Sequence, residues 1–280
     1  MINGNLKATY AADERGLNNS YKQAFVYGSF LFLGLFASVA NDYMILVACQ
    51  VGILLVAVVG INILTGYTGL VSLGHGAFVA LGAYFVTVFH NLFAGTIPES
   101  LMVIIAVPVA VALTAVIGVI VGLPSLRVKG LYLAVATLAA SFIVIFLVEH
   151  EAMAPWTGGV VGIDTPVPNI LGWVLDTKRE MFILISIVAV LSILAAQNLI
   201  RTRIGRAFIA IRDRDYSAEI LGISLLRYKL TAFALSAAYC GLAGALFAYF
   251  YARILPEQFE LELSLELVAA LIVGGMGRTM

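Results

Sequence analysis

The chain has 280 residues, of which 62% are hydrophobic and 11% are charged, and its formal net charge is zero. Soluble domains carry about 25% charged residues, so a soluble protein is excluded and lipid must surround most of the surface. A zero net charge also provides no basic footprint for nucleic acid, which is therefore not expected as a partner.

Eight apolar runs follow a polar segment at residues 1–23, which we expect to be a cytoplasmic N-terminal stretch. A transmembrane helix needs about 20 mostly apolar residues, and backbone groups in lipid must hydrogen-bond within their own helix. We therefore predict an all-α, polytopic transmembrane helical bundle of about eight spans, at residues 24–40, 43–64, 75–93, 101–123, 131–148, 181–199, 230–251 and 265–277. The last run is short, so we expect a truncated C-terminal span.

The basic residues predict the topology. Residues 200–229, here called the basic loop, hold seven of the 16 Lys and Arg side chains, and short loops rich in these residues stay cytoplasmic. Arg127 and Lys129 fall on the same side, whereas residues 149–180 hold five carboxylates against two basic residues and are expected outside. Counting spans from these loops puts the N-terminus in the cytoplasm. The external loop is either a plain connector or a rim on which an external partner docks.

A glycine-rich break follows the second predicted span, within residues 62–82. Glycines unwind helices, and unwound backbone at membrane depth is tolerated where it is buried or lines a watery cavity, as at transporter substrate sites. We interpret the break as part of a substrate pathway, with the candidate residues Gly66, Thr68, Gly69, Ser72, Gly74 and His75. Two alternatives stay open: a cytoplasmic turn between spans, or small residues that only serve helix packing.

The basic loop interleaves charged residues with apolar residues at helical intervals. Gly205 and Gly222 punctuate the ends, so a helix is expected to end at Gly222. This pattern predicts one or two short amphipathic helices at the inner membrane surface. One interpretation is a docking site for a cytoplasmic motor. The other is that the loop carries its positive charge for topology alone.

No motif for catalysis occurs in the sequence, which lacks Walker, HExxH and GxSxG patterns. Neither ATP hydrolysis nor another enzyme activity is therefore expected from this chain, and another subunit must supply any ATP-derived energy. The two cysteines and three histidines lack metal-ligand spacing, so no metal is expected. No acidic residue lies in the middle of a predicted span, which disfavours proton-coupled transport.

Several motifs together resemble the branched-chain amino acid permease family of ABC importers, in its LivM-type subunits. They are GYTGLVSLGHGAF at 66–78, LRVKGLYLA at 126–134, the RIGRAF and LGI segments within 203–223, the small-residue run within 228–246, and GGMG at 274–277. The resemblance implies a permease transmembrane domain over residues 24–280 and a multi-pass protein of a bacterial inner membrane. It also places Arg203, Gly205, Arg206, Ala218, Glu219 and Gly222 where the family's ATPase-coupling loop lies.

The same resemblance implies an importer of several subunits that moves branched-chain or related small amino acids. Its other parts would be a second related permease, two cytoplasmic ATPases that bind ATP and magnesium, and a periplasmic or extracellular substrate-binding protein. Three alternatives remain: a urea or short-amide permease of the same family, an ion-coupled carrier or channel that works alone, and an accessory membrane scaffold.

Overall fold

The computed structural model describes residues 40–126, 128 and 130–277, together with the single positions Gly34 and Ala37. Ten α-helices lie within these residues: α1 (Asp42–Ile61), α2 (His75–Leu92), α3 (Glu99–Gly122), α4 (Leu131–Glu149), α5 (Ala154–Thr157), α6 (Lys178–Arg201), α7 (Arg203–Asp213), α8 (Asp215–Ile220), α9 (Leu225–Tyr251) and α10 (Leu261–Gly274). A π-helical turn at Asn62–Tyr67 extends α1, and 3-10 turns lie at Leu123–Leu126, Gly159–Val161 and Pro256–Phe259. Four two-residue strands complete the described regular structure: β1 (Ile163–Asp164), β2 (Asn169–Ile170), β3 (Trp173–Val174) and β4 (Arg253–Ile254).

Five of the described helices are long and apolar enough to cross a membrane, namely α1 with its π-helical turn, α3, α4, α6 and α9. The prediction of a polytopic helical membrane protein is therefore confirmed, while the number of spans stays a prediction. With 18 and 14 residues, α2 and α10 are shorter than the roughly 20 residues that a full span needs. Residues 1–23, most of the first predicted span, Arg127 and Lys129 lie outside the described residues.

The longest of the described helices, α9, lies at the centre of the bundle and packs against α1, α2 and α3. Glycines on both sides of the α2–α9 contact bring the two backbones together. A methyl group on Gly82 would overlap the Gly241 backbone, and one on Gly244 would overlap the Val79 carbonyl oxygen. Small residues are what allow such close approach in membrane proteins, where apolar area alone does not drive helices together.

The predicted external loop is tied to the far end of α9. Its strand β1 pairs antiparallel with β4, which follows α9 directly. The buried hydroxyls of Thr87, near the end of α2, and Thr165 are hydrogen-bonded at 2.8 Å. A second antiparallel pair, β2 with β3, forms a hairpin whose tip residue Leu171 donates its N–H to the Ser100 carbonyl. The loop is therefore folded against the ends of α2, α3 and α9.

Candidate functional site

The predicted glycine-rich break lies between α1 and α2. The helix stops at Thr68, directly after the π-helical turn Asn62–Tyr67, residues 69–74 are not helical, and α2 begins at His75. Gly69 has a φ of +69°, a conformation that residues with a Cβ adopt at a cost. A methyl group on Gly74 would overlap the Thr137 carbonyl oxygen of α4. Both glycines are therefore required by the path of the chain.

The second half of the break lies deep inside the bundle. The Nε2 atom of His75 and the Oγ atom of Ser236 are 2.8 Å apart and hydrogen-bonded, and Ser236 lies close to the middle of α9. The Leu73 N–H donates to Thr137 Oγ1 at 3.1 Å. Thr137 lies about 9 Å along α4 from the first residue of that helix, at 1.5 Å per residue. A simple turn at the surface of the bundle therefore does not describe Ser72–His75, and Gly66, Tyr67 and Thr68 are buried as well.

Two helices begin at this buried point. The Gly76 N–H in the first turn of α2 donates to Ser264 Oγ in the first turn of α10, at 2.9 Å. Helix N-termini carry partial positive charge and free N–H groups. The Ser72 hydroxyl is also buried here, without a hydrogen-bond partner in the described part of the chain. Chemically, the arrangement can hold a carboxylate or another hydrogen-bond acceptor.

The first half of the break meets the basic loop instead. The Arg212 guanidinium, at the end of α7, donates from Nη1 to the Gly66 carbonyl oxygen at 2.7 Å. The Gly277 N–H, from the GGMG motif after α10, donates to Asn62 Oδ1 at 2.9 Å. The structure thus joins three motifs that are more than 60 residues apart in sequence. Arg212, Asn62 and Gly277 were not predicted from the sequence as site residues, although all three lie within segments noted above.

The basic loop forms α7 and α8, as the amphipathic pattern predicted. Phe208 and Ile211 are buried on one side of α7, while Arg203 and Arg206 are exposed on the other. The Arg206 guanidinium donates to the Arg201 carbonyl oxygen at 3.0 Å. Gly205 lies against the backbone of Ile200, where a methyl group would overlap the carbonyl oxygen, so it permits the sharp turn between α6 and α7.

A Schellman motif ends α8 at the position where the sequence predicted a helix end. The Ile223 N–H donates to the Ala218 carbonyl at 3.0 Å, and the Gly222 N–H donates to the Glu219 carbonyl at 2.9 Å. Gly222 has a φ of +85°, as the C′ position of this motif requires. Ala218 is buried and Glu219 is exposed. Three large apolar side chains nearby, Tyr216, Ile220 and Leu221, are 70–78% exposed.

A buried ion pair fixes α8 to α9. The Lys229 ammonium lies 3.0 Å from Asp215 Oδ2, and the two side chains are 3% and 24% exposed. A buried Lys is rare unless it is paired. No feature of the sequence indicated this pair beyond the presence of both charges in the basic loop.

Two open cavities lie away from the break. One of about 330 Å³ lies between α4 and the start of α10 and includes Glu149 and Glu260 in its lining. Another of about 350 Å³ lies beside α1 and the end of α9 and includes Gln50 and Glu266. Neither is lined by a predicted pathway residue.

Comparison with known proteins places these features in a family. The model of the family described as branched-chain amino acid transport system / permease component matches residues 43–280. The chain is similar to the high-affinity branched-chain amino acid transport system permease proteins LivM of Escherichia coli K12 and Salmonella typhimurium LT2. The Escherichia coli protein is 33% identical, and the match covers 78% of this chain and 55% of that protein. The Salmonella typhimurium protein is 31% identical, and the match covers 82% of this chain and 58% of that protein.

A more distant relative is the probable branched-chain amino acid transport permease protein LivM of Methanocaldococcus jannaschii, 27% identical over 66% of this chain and 53% of the relative. The chain therefore spans about half the length of the curated relatives that it matches. No solved structure matches it. On the family match over residues 43–280 and the identity to two LivM proteins, the chain belongs to the branched-chain amino acid transport permease family.

Proposed function

We propose that this chain is a permease subunit of an ATP-driven importer that moves branched-chain amino acids into the cytoplasm. One observation carries the proposal: the glycine-rich break reaches from the basic helix α7, at Gly66, to the middle of α9, at His75. A segment of this kind can link a cytoplasmic motor to the interior of the bundle. The names of the related LivM proteins supply the substrate class.

The substrate pathway is proposed to run along the break, past Gly66, Thr68, Gly69, Ser72, Gly74 and His75. The substrate carboxylate would be held where α2 and α10 begin, since free N–H groups and helix dipoles favour an anion there. The Gly76 N–H donates to Ser264 Oγ in this structure, so binding of the substrate carboxylate requires α2 and α10 to separate. Alternating access would open and close this contact.

The ATPase-coupling surface is proposed to be the exposed side of α7 and α8. It includes Arg203, Gly205, Arg206, Ala218, Glu219 and Gly222 of the coupling loop, with Gly205 and Ala218 buried beneath the exposed ones. The exposed apolar group Tyr216, Ile220 and Leu221 favours docking to a protein, because it interrupts an otherwise charged surface. Two cytoplasmic ATPases would dock there and bind the ATP and magnesium.

The remaining partners follow from the proposed orientation. The loops joined by β1 and β4 would face outward and receive the substrate-binding protein, and a second related permease would complete the membrane part. The chain would lie in a bacterial inner membrane with its N-terminus in the cytoplasm. The β1–β4 pairing supports a docking role because it holds two loops as one surface.

The proposal is tested by leucine uptake into proteoliposomes. The chain is co-purified with its second permease and two ATPases, and uptake is measured with the binding protein outside the compartment and ATP supplied to the ATPases. ATP-dependent leucine uptake is expected, and a Gly222→Arg variant with normal insertion should lose it. Leucine uptake by the permease alone under an ion gradient would instead identify an ion-coupled carrier. Uptake of urea or a short amide, and not leucine, would identify the other branch of the family.

A further inference from the structure

The carbonyl oxygen of Gly66 belongs to the last turn of a long helix. The helix runs from Asp42 through Tyr67, and the last four carbonyls of a helix have no partner within it. The Leu64 carbonyl oxygen has partners from nearby in the sequence, because Thr68 Oγ1 and the Leu70 N–H both donate to it. The Gly66 carbonyl is satisfied from outside the helix, by Arg212 at 2.7 Å.

The Arg212 contact is favourable for two separate reasons. A guanidinium donor to a carbonyl is a charge-assisted hydrogen bond, and a cation at a helix C-terminus interacts favourably with the helix dipole. The arginine side chain crosses from α7 to the break, a sequence separation of 146 residues. A hypothetical Cβ on Gly69 would lie 3.3 Å from Arg212 Cγ, so the stem of the side chain also packs on the break.

Glycines keep this contact free of side chains. A Cβ on Gly66 would lie 2.6 Å from the Gly277 nitrogen, and one on Gly277 would overlap Arg212 Nη1. The Gly277 N–H in turn holds Asn62, the first residue of the π-helical turn. The π-helical turn therefore has a fixed contact at each end, Asn62 to the segment after α10 and Gly66 to α7.

We propose that Arg212 is the positioning residue that transmits movement of α7 to the substrate pathway, by holding the Gly66 carbonyl at the end of the π-helical turn. This inference rests on the proposed function. A π-helical turn is a local irregularity that is frequent at functional sites. It is therefore the position at which α1 would bend when the end of the helix is displaced. Movement of α7 then displaces Gly66 and Gly69, and through them the start of α2.

The test compares Arg212→Gln with Arg227→Gln in the assembled importer. Arg227 is an exposed arginine in the first turn of α9, so its variant removes the same charge from the same loop. Uptake of leucine per ATP hydrolysed is expected to fall at least about tenfold in Arg212→Gln, the change that loss of one charge-assisted hydrogen bond produces. ATP hydrolysis and assembly should remain, Arg227→Gln should match the wild type, and Arg212→Lys should recover part of the coupling.

A merely structural cap predicts a different result, in which uptake and ATP hydrolysis fall together and the ratio is unchanged. That result, or a wild-type ratio in Arg212→Gln, would overturn the inference and leave the proposed function intact. A wild-type complex without ATP-dependent uptake would remove both. Amide hydrogen exchange at residues 66–74, which needs no substrate, should be faster in Arg212→Gln, and unchanged exchange would also contradict the contact's role.

Discussion

The Lys229 side chain is almost fully buried, and its charge is compensated by Asp215 at 3.0 Å. Such a pair adds little net stability compared with a well-packed apolar pair, because both charges lose water. Removal of one partner is different, since the remaining charge stays in a site built for two. At the scale of single residues, the pair is therefore best understood as a fixed connection of α8 to α9.

The variant Lys229→Met is expected to destabilise the protein by about 3–5 kcal/mol. Thermal unfolding of the purified chain in detergent measures the effect. The double variant Lys229→Met with Asp215→Leu, which replaces both charges, should recover most of the loss. A single variant as stable as the wild type would contradict this account of the ion pair.

Gly74 offers a second prediction at this scale. In Gly74→Ala the new methyl group overlaps the Thr137 carbonyl oxygen, so α2 and α4 must move apart. Overpacking of this kind costs about 1–3 kcal/mol. The matched control is Gly274→Ala at the end of α10, where no atom lies within 4 Å of the added group. Thermal unfolding should separate the two variants, and equal stability would argue against tight packing at the break.

At the scale of elements, hydropathy located the helices well and their ends less well. The run at 131–148 corresponds to α4 at Leu131–Glu149, but the run at 230–251 misses the first turn of α9, which begins at Leu225. Arg227 and Lys229 are compatible with a helix and only lower its apolar average. The start of α6 is indicated by a side-chain motif and not by hydropathy, because Thr177 and Glu180 form a capping box.

The contacts between elements could not be predicted from the local sequence pattern. The break was predicted because glycines determine local backbone geometry, and Gly222 was recognised as a helix end for the same reason. The Arg212–Gly66 and Gly277–Asn62 hydrogen bonds join residues 146 and 215 positions apart. Nothing in the local pattern of an arginine or an asparagine indicates its distant partner, so these pairs required the structure.

The Schellman motif of α8 provides a prediction at the element scale. Gly222 has a φ of +85° and no atom within 4 Å of a hypothetical Cβ, so a substitution there acts through the backbone alone. Gly222→Ala should destabilise the end of α8 by about 1–2 kcal/mol, whereas Gly222→Asn should cost less because Asn tolerates this conformation. Amide exchange at Ile223, whose N–H closes the motif, measures the difference. Equal exchange in the two variants would contradict it.

At the scale of the whole molecule, the two ends of the bundle differ in their chemistry. One end carries α7, α8 and the arginines of the basic loop, and the other carries the loops joined by β1 and β4. The contacts of Arg212 with Gly66 and of His75 with Ser236, joined by the break, reach from the first end to the middle of α9. An importer needs such a link, since energy arrives on one side of the membrane and substrate on the other.

The orientation of these two ends is open to a direct labelling test. Tyr216 on α8 and Val160 in the external loop are 76% and 64% exposed, while the native Cys49 and Cys240 are buried. A membrane-impermeant maleimide applied to intact spheroplasts should therefore label Val160→Cys and leave Tyr216→Cys unlabelled until the membrane is permeabilised. The physical reason is that arginine-rich loops stay cytoplasmic. Labelling of Tyr216→Cys in intact spheroplasts would place α7 and α8 outside, where no ATPase could reach them, and the proposed coupling would fail with the orientation.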